Sequence, residues 1–476
     1  MNASSSSPDD PARASSISDP ARASSISDPA RASSISDPAR ASSISDPARA
    51  YALDLLDFIG QSPSPWHATA SAVQRLHAAG YQALQERDAW QLVAGGRYYV
   101  VRGGSSLIAF VAGMAAPAEA GFRLVGAHTD SPGLRLKPHA AHLNGGFLRL
   151  GVEVYGGPIL ATFTDRDLGL AGRVHLRAPV AADAAAVLLT VRSPVVRLPN
   201  LAIHMNREVN EQGLKLHRQN ELHLLFATEN AGREGAFHHW VAQQLQCDPA
   251  NVLGVELQVC DVQPGVLWGG RQEFIASSQL DNLACTHAGL CALLSVQQPD
   301  HTAVAAFFDH EEVGSESAVG AAGSFFSDVL ARISEALGAH GSDAARARAH
   351  SLFLSADMAH AWHPNFPAAY EPQHHLRINA GPAIKYNASQ RYATDGAGAA
   401  RFMQWCEGAG VPWQSYVHRS ELGCGSTIGP LVAARLGIPT VDVGAPMWAM
   451  HSLRESAGAL DSYWLHLAMA RALQSG

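Results

Sequence analysis

Histidine and carboxylate side chains stand at the ends of apolar segments throughout the sequence. The residues of metal-ligand type found at these ends are His128, Asp130, Asp281, Glu311, Glu312, Asp357 and His451. Four of the preceding segments have the apolar character of buried strands: residues 122–127, 302–308, 351–355 and 439–443. Because sites in open α/β sheets form beyond the carboxyl ends of the strands, these side chains are expected to converge.

Two histidines with several carboxylates make a nitrogen and oxygen ligand set, which suits zinc, manganese or cobalt. Neighbouring residues in extended backbone point to opposite sides, so one of Glu311 and Glu312 can bind a metal ion while the other faces a water molecule. Asp130 stands two residues after His128 and can accept the second imidazole N–H. Taken singly, each of these residues is more commonly found in a polar loop or at a helix cap. The hypothesis of a metal site therefore depends on their convergence.

The elements that would position these residues alternate between strand and helix after residue 277. Asp281 opens an apolar helical pattern, and further helices are expected at residues 323–338, 429–436 and 457–473. Such alternation predicts a mostly parallel sheet covered by helices on both faces. Strand-like runs and turn residues dominate from about 147 to 265. The predicted fold is therefore α/β, with one α/β domain in two parts (48–135 and 271–476) interrupted by a β-rich domain (136–270).

The sequence before this domain is a tandem repeat. The nonapeptide Asp-Pro-Ala-Arg-Ala-Ser-Ser-Ile-Ser begins at Asp10, Asp19, Asp28 and Asp37, and a partial copy begins at Asp46. One isoleucine per repeat cannot bury enough apolar surface to offset the entropy of ordering, and the recurring proline interrupts helices. We predict a disordered tail over residues 1–47. Repeat expansion without function is the preferred explanation, and a docking role is the alternative.

Composition excludes several classes of protein. The 476 residues are 47% hydrophobic and 16% charged, a globular balance, and the formal net charge of −8 gives no reason to expect nucleic acid or a membrane as partner. No apolar run reaches the ~20 residues that span a bilayer, and the polar N-terminal residues do not resemble a secretory signal. None of the six cysteines forms a CxxC pair, which favours reduced thiols. A cytoplasmic protein is expected.

Several longer motifs surround the candidate ligands. They are His128-Thr129-Asp130-Ser131-Pro132, Gln279-Leu280-Asp281-Asn282-Leu283, Asp309-His310-Glu311-Glu312-Val313-Gly314-Ser315, Ser355-Ala356-Asp357-Met358-Ala359-His360-Ala361 and Met450-His451-Ser452. In this order they resemble the aspartyl aminopeptidase family of dinuclear zinc peptidases. The resemblance includes Leu201-Ala202-Ile203-His204, and Lys385-Tyr386-Asn387 with Gln390-Arg391-Tyr392. It extends from about Ala50 to the C-terminus and leaves out the repeat tail.

The resemblance implies a catalytic α/β domain, a β-rich dimerisation domain and a homo-oligomer, a dodecamer built from dimers. It implies two divalent ions per subunit, with zinc expected and manganese or cobalt as alternatives. The implied metal ligands are His128 and Asp357 for one ion, Glu312 and His451 for the other, and Asp281 as the bridge. Glu311 is the implied general base, Asp130 is a candidate catalytic residue through its contact with His128, and His204 is expected to complete the active site of a neighbouring subunit. Peptides with N-terminal Asp or Glu are the expected substrates, bound by Lys385, Tyr392 and His360.

Other functions remain open from the sequence. The same dinuclear chemistry could serve a broad or neutral specificity, since a lysine such as Lys385 is more often a solvated surface charge. A self-assembling scaffold or cargo protein is a second alternative, and only the repeat tail favours it. A metal-storage protein would need excess ligands without a base such as Glu311.

Overall fold

The computed structural model describes residues 45–177, 185–229 and 235–475. Most of the predicted tail lies outside these residues. The first helix begins at Asp46, two residues before the expected start of the folded part, because Asp46 and Pro47 form its first turn. No helix in the described ranges is both long and apolar enough to cross a bilayer.

The helices are numbered in chain order. They are α1 (Asp46–Gly60), α2 (Pro65–Ala78), α3 (Pro117–Ala120), α4 (Val209–Gln212), α5 (Ala236–Gln244), α6 (Leu280–Ser295), α7 (Phe325–Ala336), α8 (Ser342–Ala349), α9 (Gly396–Gly408), α10 (Ile428–Leu436) and α11 (Asp461–Gln474). Local sequence explains several of the starts. Ser64 caps α2 by accepting a hydrogen bond from the His67 N–H, and Asp395 caps α9 in the same way through the Gly398 N–H.

The strands are numbered likewise. They are β1 (Gln82–Leu84), β2 (Arg97–Arg102), β3 (Ser106–Val111), β4 (Phe122–His128), β5 (Gly133–Asn144), β6 (Phe147–Tyr155), β7 (Leu168–Leu176), β8 (Ala185–Val196), β9 (Leu224–Thr228), β10 (Val252–Asp261), β11 (Val266–Trp268), β12 (Phe274–Ser277), β13 (Thr302–Phe308), β14 (Leu352–Ala356), β15 (Ala359–His360), β16 (Ala383–Tyr386), β17 (Gln414–Val417), β18 (Thr440–Gly444), β19 (Pro446–Trp448) and β20 (Glu455–Gly458).

Nine of these strands form the central sheet, in the order β1-β2-β3-β13-β4-β14-β18-β16-β17. Its middle is parallel, because β13, β4, β14 and β18 all run in one direction. The strand pairs β2–β3, β3–β13 and β16–β18 are antiparallel. The α/β fold with a mostly parallel sheet is thus confirmed. The arrangement places the carboxyl ends of β13, β4 and β14 side by side.

Both faces of the central sheet are covered by helices, so its strands are apolar throughout. In β13, Ala303, Ala305 and Phe307 pack on one face against a core that contains α1, α2, α6, α9 and α11. The alternate residues Val304, Ala306 and Phe308 pack on the other face with α7, α8 and α10. This two-sided burial explains why residues 302–308 show no alternation of apolar and polar types.

A second sheet of six strands, β8-β7-β10-β5-β6-β9, occupies the β-rich part of the chain. Its first strand begins at Gly133 and its last ends at Asp261. It has a hydrophobic core of its own, to which helix α5 contributes Phe237, Val241 and Ala242.

A third sheet, β11-β12-β20-β19-β15, corrects one of the predictions. A terminal helix was expected from residue 457, but residues Glu455–Gly458 are β20, paired with β12 and β19, and α11 begins at Asp461. Ala457 favours a helix and Gly458 is unfavourable in a strand, so pairing with β12 and β19 overrides the local preference of this segment.

Candidate metal centre

The candidate ligands lie together at one edge of the central sheet. His128 is the last residue of β4, Asp357 directly follows β14, and Glu311 and Glu312 form a short turn after β13. Asp281 lies in the first turn of α6, which packs beneath the sheet. Close packing of β14 against β18 sets the position of Asp357, since a Cβ on Gly444 would lie 1.7 Å from the Asp357 carbonyl oxygen.

His128 faces three carboxylates from one side of the centre. Its Nε2 lies 3.6 Å from Asp281 Oδ1, 3.7 Å from Asp357 Oδ1 and 3.8 Å from Glu311 Oε2. The other ring nitrogen, Nδ1, lies 3.0 Å from the Asp130 carbonyl oxygen and 3.4 Å from Asp130 Oδ1. Donation of the Nδ1 proton to Asp130 would leave the Nε2 lone pair directed at the carboxylates, as a metal-binding histidine requires.

His451 faces a second group of carboxylates. Its Nε2 lies 3.3 Å from Asp281 Oδ2 and 3.4 Å from Glu312 Oε2. Its Nδ1 lies 3.1 Å from the Gly157 carbonyl oxygen, which again fixes the tautomer that leaves Nε2 as the free lone pair. The two oxygens of Asp281 therefore face two different histidines.

These separations fit metal binding. Ligand atoms about 2.0–2.2 Å from a tetrahedral zinc ion lie roughly 3.3–3.6 Å from one another. Asp281 Oδ1 and Glu312 Oε1 are buried and have no hydrogen-bond partner among the described residues. Buried anionic oxygens without a donor are costly, and coordination of a cation would satisfy both.

The electrostatics of the centre also favour a cation. Burial, together with the neighbouring carboxylates, raises the pKa of Asp281 and of Glu312. Burial raises the pKa of Glu311 to about 8, against the opposing attraction of His128. Asp357 differs, because Lys385 and His128 outweigh the effect of burial and lower its pKa. The carboxylates thus repel one another, and a cation relieves that repulsion.

Asp130 contacts three residues of the centre: His128, Glu311 and Glu312. Besides its contact with His128, it accepts hydrogen bonds from the N–H groups of Glu311 (3.2 Å) and Glu312 (3.1 Å). Tyr155, from β6, donates its hydroxyl proton to Asp130 Oδ2 at 2.6 Å. The predicted contact with the imidazole of His128 is present, and the two glutamate contacts were not foreseen.

Glu455 is a supporting residue that sequence reasoning missed. Its buried carboxylate accepts hydrogen bonds from the backbone N–H of Asp281 (3.0 Å) and of His451 (2.7 Å). It therefore links the helix that carries one candidate ligand to the loop that carries another. The sequence offered only one signal, a carboxylate four residues after His451.

The centre opens into a pocket of about 490 Å³ that also contains the three expected substrate-binding residues, Lys385, Tyr392 and His360. The Lys385 ammonium donates to the Met358 carbonyl oxygen at 2.7 Å and lies 3.5 Å from Asp357 Oδ2. It also lies 5.4 Å from the centre of the Tyr392 ring. Burial, and next Lys385, lower the pKa of His360 to about 4, so His360 is neutral at pH 7.

Two predicted site residues do not line this pocket. Asp130 is buried against His128, and His204 makes none of the contacts of the centre described above. His204 lies in an exposed turn of the β-rich part, within an exposed apolar segment that contains Leu201, Ile203 and Met205. The candidate metal ligands of the same chain come together without it.

A second group of metal-ligand side chains, Asp54, His287 and Cys291, lies away from the pocket. The Arg75 guanidinium donates to both oxygens of Asp54, at 2.7 and 2.9 Å, and lies 3.3 Å from His287 Nε2. The guanidinium already contacts the ligand atoms of Asp54 and His287, so these residues form an ion-pair network.

Known proteins share both sequence and fold with this chain. Residues 58–470 match the family described as aminopeptidase I zinc metalloprotease (M18). A probable M18 family aminopeptidase 2 of Pseudomonas paraeruginosa is 48% identical over 411 residues, which cover 86% of this chain and 94% of that protein.

Solved structures show the same fold. The chain is similar to a cryo-EM structure of the Ape4 and Nbr1 complex, with a TM-score of 0.87, 36% identity and coverage of 91% of this chain and 87% of the other. It is also similar to the S. cerevisiae mApe1 dodecamer, with a TM-score of 0.78, 26% identity and coverage of 89% and 96%. Together with the residues of the centre, these matches identify the chain as a member of the M18 family of zinc metalloproteases, and hence as a metal-dependent aminopeptidase.

Proposed function

We propose that the enzyme uses two divalent ions to remove single N-terminal residues, preferably Asp or Glu, from peptides. The observation that supports this most strongly is the position of Asp281, whose two oxygens face two separate histidines at 3.6 and 3.3 Å. One ion would be held by His128 and Asp357 and the other by Glu312 and His451, with Asp281 between them. Zinc is the expected metal, in keeping with the family.

When bound, such ions lower the pKa of a coordinated water molecule and stabilise the oxyanion of the tetrahedral intermediate. Glu311 is the proposed general base. It extends into the pocket from the same turn as Glu312. Bound ions beside it would lower the raised pKa that it has in the metal-free protein, so that its carboxylate could accept a proton from water and return it to the leaving amine. Asp130 would keep Glu311 and His128 in place through the hydrogen bonds described above.

The proposed preference for acidic residues depends on the positive charge of the pocket. Lys385 would attract the side-chain carboxylate of the first residue, with His360 and Tyr392 beside it. Because the Lys385 ammonium already contacts Asp357 at 3.5 Å, a broader or neutral specificity is the second candidate. An ammonium shared with a carboxylate attracts a second carboxylate less strongly.

We further propose that the chain assembles into a homo-oligomer, a dodecamer built from dimers, with residues 136–270 as the dimerisation domain. The similar S. cerevisiae protein forms a dodecamer. In this chain the segment around His204 exposes Leu201, Ile203 and Met205 to solvent, as a subunit interface would require. His204 would then reach the pocket of a neighbouring subunit.

The test combines metal analysis with a panel of substrates that differ in their first residue. Protein purified without chelator is expected to contain about two divalent ions per chain and to cleave Asp and Glu derivatives with a higher kcat/KM than Leu and Ala derivatives. One ion per chain would contradict the dinuclear centre. Equal kcat/KM values across the panel would favour the broader specificity.

A further inference from the structure

The substrate pocket contains two side chains of fixed positive charge among the described residues, and they differ in their surroundings. Lys385 is 2% exposed, donates to the Met358 carbonyl oxygen and lies beside Asp357. The charge of Lys385 is therefore shared with a protein carboxylate before any substrate binds.

Arg391 is the second of these cations. It lies in the segment between β16 and α9, and this segment is fixed by its backbone: the Arg391 N–H donates to Asn387 Oδ1 at 3.3 Å, and Ser426 Oγ donates to the Arg391 carbonyl oxygen at 3.4 Å. The side chain is exposed, and its guanidinium makes no hydrogen bond or ion pair within the described parts of the chain. The backbone is thus anchored while the guanidinium donors stay free.

The sum of the charges in the pocket shows what the Arg391 guanidinium could bind. Four carboxylates line the pocket, those of Asp281, Glu311, Glu312 and Asp357. Two divalent ions would balance their charge, and Lys385 and Arg391 would then leave the pocket with excess positive charge. A guanidinium presents paired N–H groups that match a carboxylate, and such charge-assisted bonds are stronger than neutral ones.

We propose that Arg391 is a specificity-determining residue, whose guanidinium binds the side-chain carboxylate of an acidic first residue. This inference rests on the proposed preference for acidic substrates and adds the group that recognises them. The tyrosine that follows Arg391 supports the geometry, because Tyr392 lies under Lys385 in the same pocket. Arg391 and Lys385 thus line the same pocket.

The experiment compares Arg391→Gln with wild type on Asp, Glu, Leu and Ala substrates, using the metal-loaded enzyme. The kcat/KM for Asp and Glu substrates is expected to fall by about 10- to 100-fold, because loss of a hydrogen bond to a charged group typically weakens binding by this factor. The values for Leu and Ala substrates should stay within about threefold. Arg391→Lys, which keeps the charge and loses the paired donors, should restore part of the acidic preference.

Arg419 provides the matched control. It lines a neighbouring pocket with Arg391 but not the substrate pocket, and its Nε donates to Glu421 at 3.0 Å. Arg419→Gln should leave the ratio of acidic to neutral kcat/KM unchanged. A loss of ratio in both variants would mean that general surface charge steers the substrate, which would overturn the assignment to Arg391.

The remaining outcomes separate the inference from the function on which it rests. A wild-type enzyme without acidic preference would contradict the proposed function, and with it the role of Arg391. A wild-type enzyme with that preference and an unchanged ratio in Arg391→Gln would contradict the role of Arg391 alone. An equal loss on all four substrates, with normal metal content, would show that Arg391 supports the pocket without reading the side chain.

Discussion

At the scale of single residues, the centre is built from carboxylates that repel one another. Asp281 and Glu312 each have a buried oxygen that accepts no hydrogen bond within the described ranges of the chain. Burial and repulsion between carboxylates raise the pKa values of both residues. Such an arrangement is unfavourable for the protein alone and favourable for divalent cations. The residues proposed to bind the ions and the residue proposed to move the proton should therefore respond differently to substitution.

Glu311→Gln and Asp281→Ala test that difference. Glu311→Gln is expected to keep the metal ions and lose activity by roughly 10²–10⁴-fold, because removal of a general base typically has this effect. Asp281→Ala should lose bound metal as well as activity, since both of its oxygens face candidate metal sites. Metal analysis and kcat measured on the same samples distinguish the two. Near-normal turnover in Glu311→Gln would show that another group is the base.

The raised pKa values predict that metal binding releases protons. With its pKa at about 8, Glu311 in the metal-free protein holds a proton at pH 7, and an incoming ion next to it favours the deprotonated form. Metal affinity should therefore fall as the pH decreases from about 8 to 6. Calorimetric titration of metal-free protein in two buffers of different ionisation enthalpy measures the released protons. Glu311→Gln should release fewer, and an affinity independent of pH would contradict this electrostatic account.

Much of the site could be predicted from the sequence because ligands at strand ends leave a local signature. His128, Asp281, Glu311, Glu312, Asp357 and His451 all lie within one centre, as expected. Glu455 and Tyr155 could not be found in this way. Both act on the centre through contacts between segments far apart in sequence, such as the bond from Tyr155 to Asp130. The free guanidinium of Arg391 was likewise visible only once its neighbours were known.

At the scale of elements, Glu455 couples the start of α6 to the loop after β19. Removal of its carboxylate in Glu455→Ala leaves two buried N–H groups, of Asp281 and His451, without acceptors. Metal affinity is expected to fall by about 10- to 100-fold, as for other residues that orient metal ligands. Competition with a chromogenic chelator measures this affinity. Glu407→Ala, at an exposed glutamate of α9, is the control, and equal affinities in the two variants would refute the coupling.

The elements themselves were predictable where burial is uniform. The strand at residues 302–308 and the helix that starts near Asp281 match the expectation, since long apolar patterns report burial directly. The segment 455–458 was wrongly predicted. It is too short to show a helical or strand-like period of apolar residues, and its conformation is set by pairing with β12. The antiparallel pairing of β3 with β13 could not be predicted, since strand order depends on contacts distant in sequence.

At the scale of the whole molecule, the repeat tail is expected to be dispensable. Deletion of residues 1–45 should leave folding, metal content and kcat unchanged, because the repeats contain too few apolar residues to join a core. Helix α1 keeps its first turn in such a variant, since it begins at Asp46. Circular dichroism, metal analysis and peptide hydrolysis of the shortened chain provide the measurements. A large loss of soluble protein would indicate a structural role for the tail.

We propose that His204 links assembly to catalysis. It is exposed and lies outside the pocket of its own chain, so any catalytic role would be exerted in the pocket of a neighbouring subunit. An imidazole N–H that reaches a neighbour's pocket could stabilise the developing oxyanion, and loss of one such donor costs roughly 10²–10³-fold in turnover. His204→Ala should therefore remain folded, assembled and metal-bound but turn over slowly. His139→Ala, at another exposed histidine of the β-rich part, should behave like wild type.

Mixed oligomers make this prediction sharper. Subunits with His204→Ala keep an intact Glu311, and subunits with Glu311→Gln keep an intact His204. When the two variants are combined, some pockets pair the intact base of one subunit with the intact imidazole of another. Activity should then rise above that of either variant alone, because each defect lies in a different chain. Failure to regain activity in mixtures that demonstrably exchange subunits would refute the shared pocket, while the metal centre and its chemistry would stand.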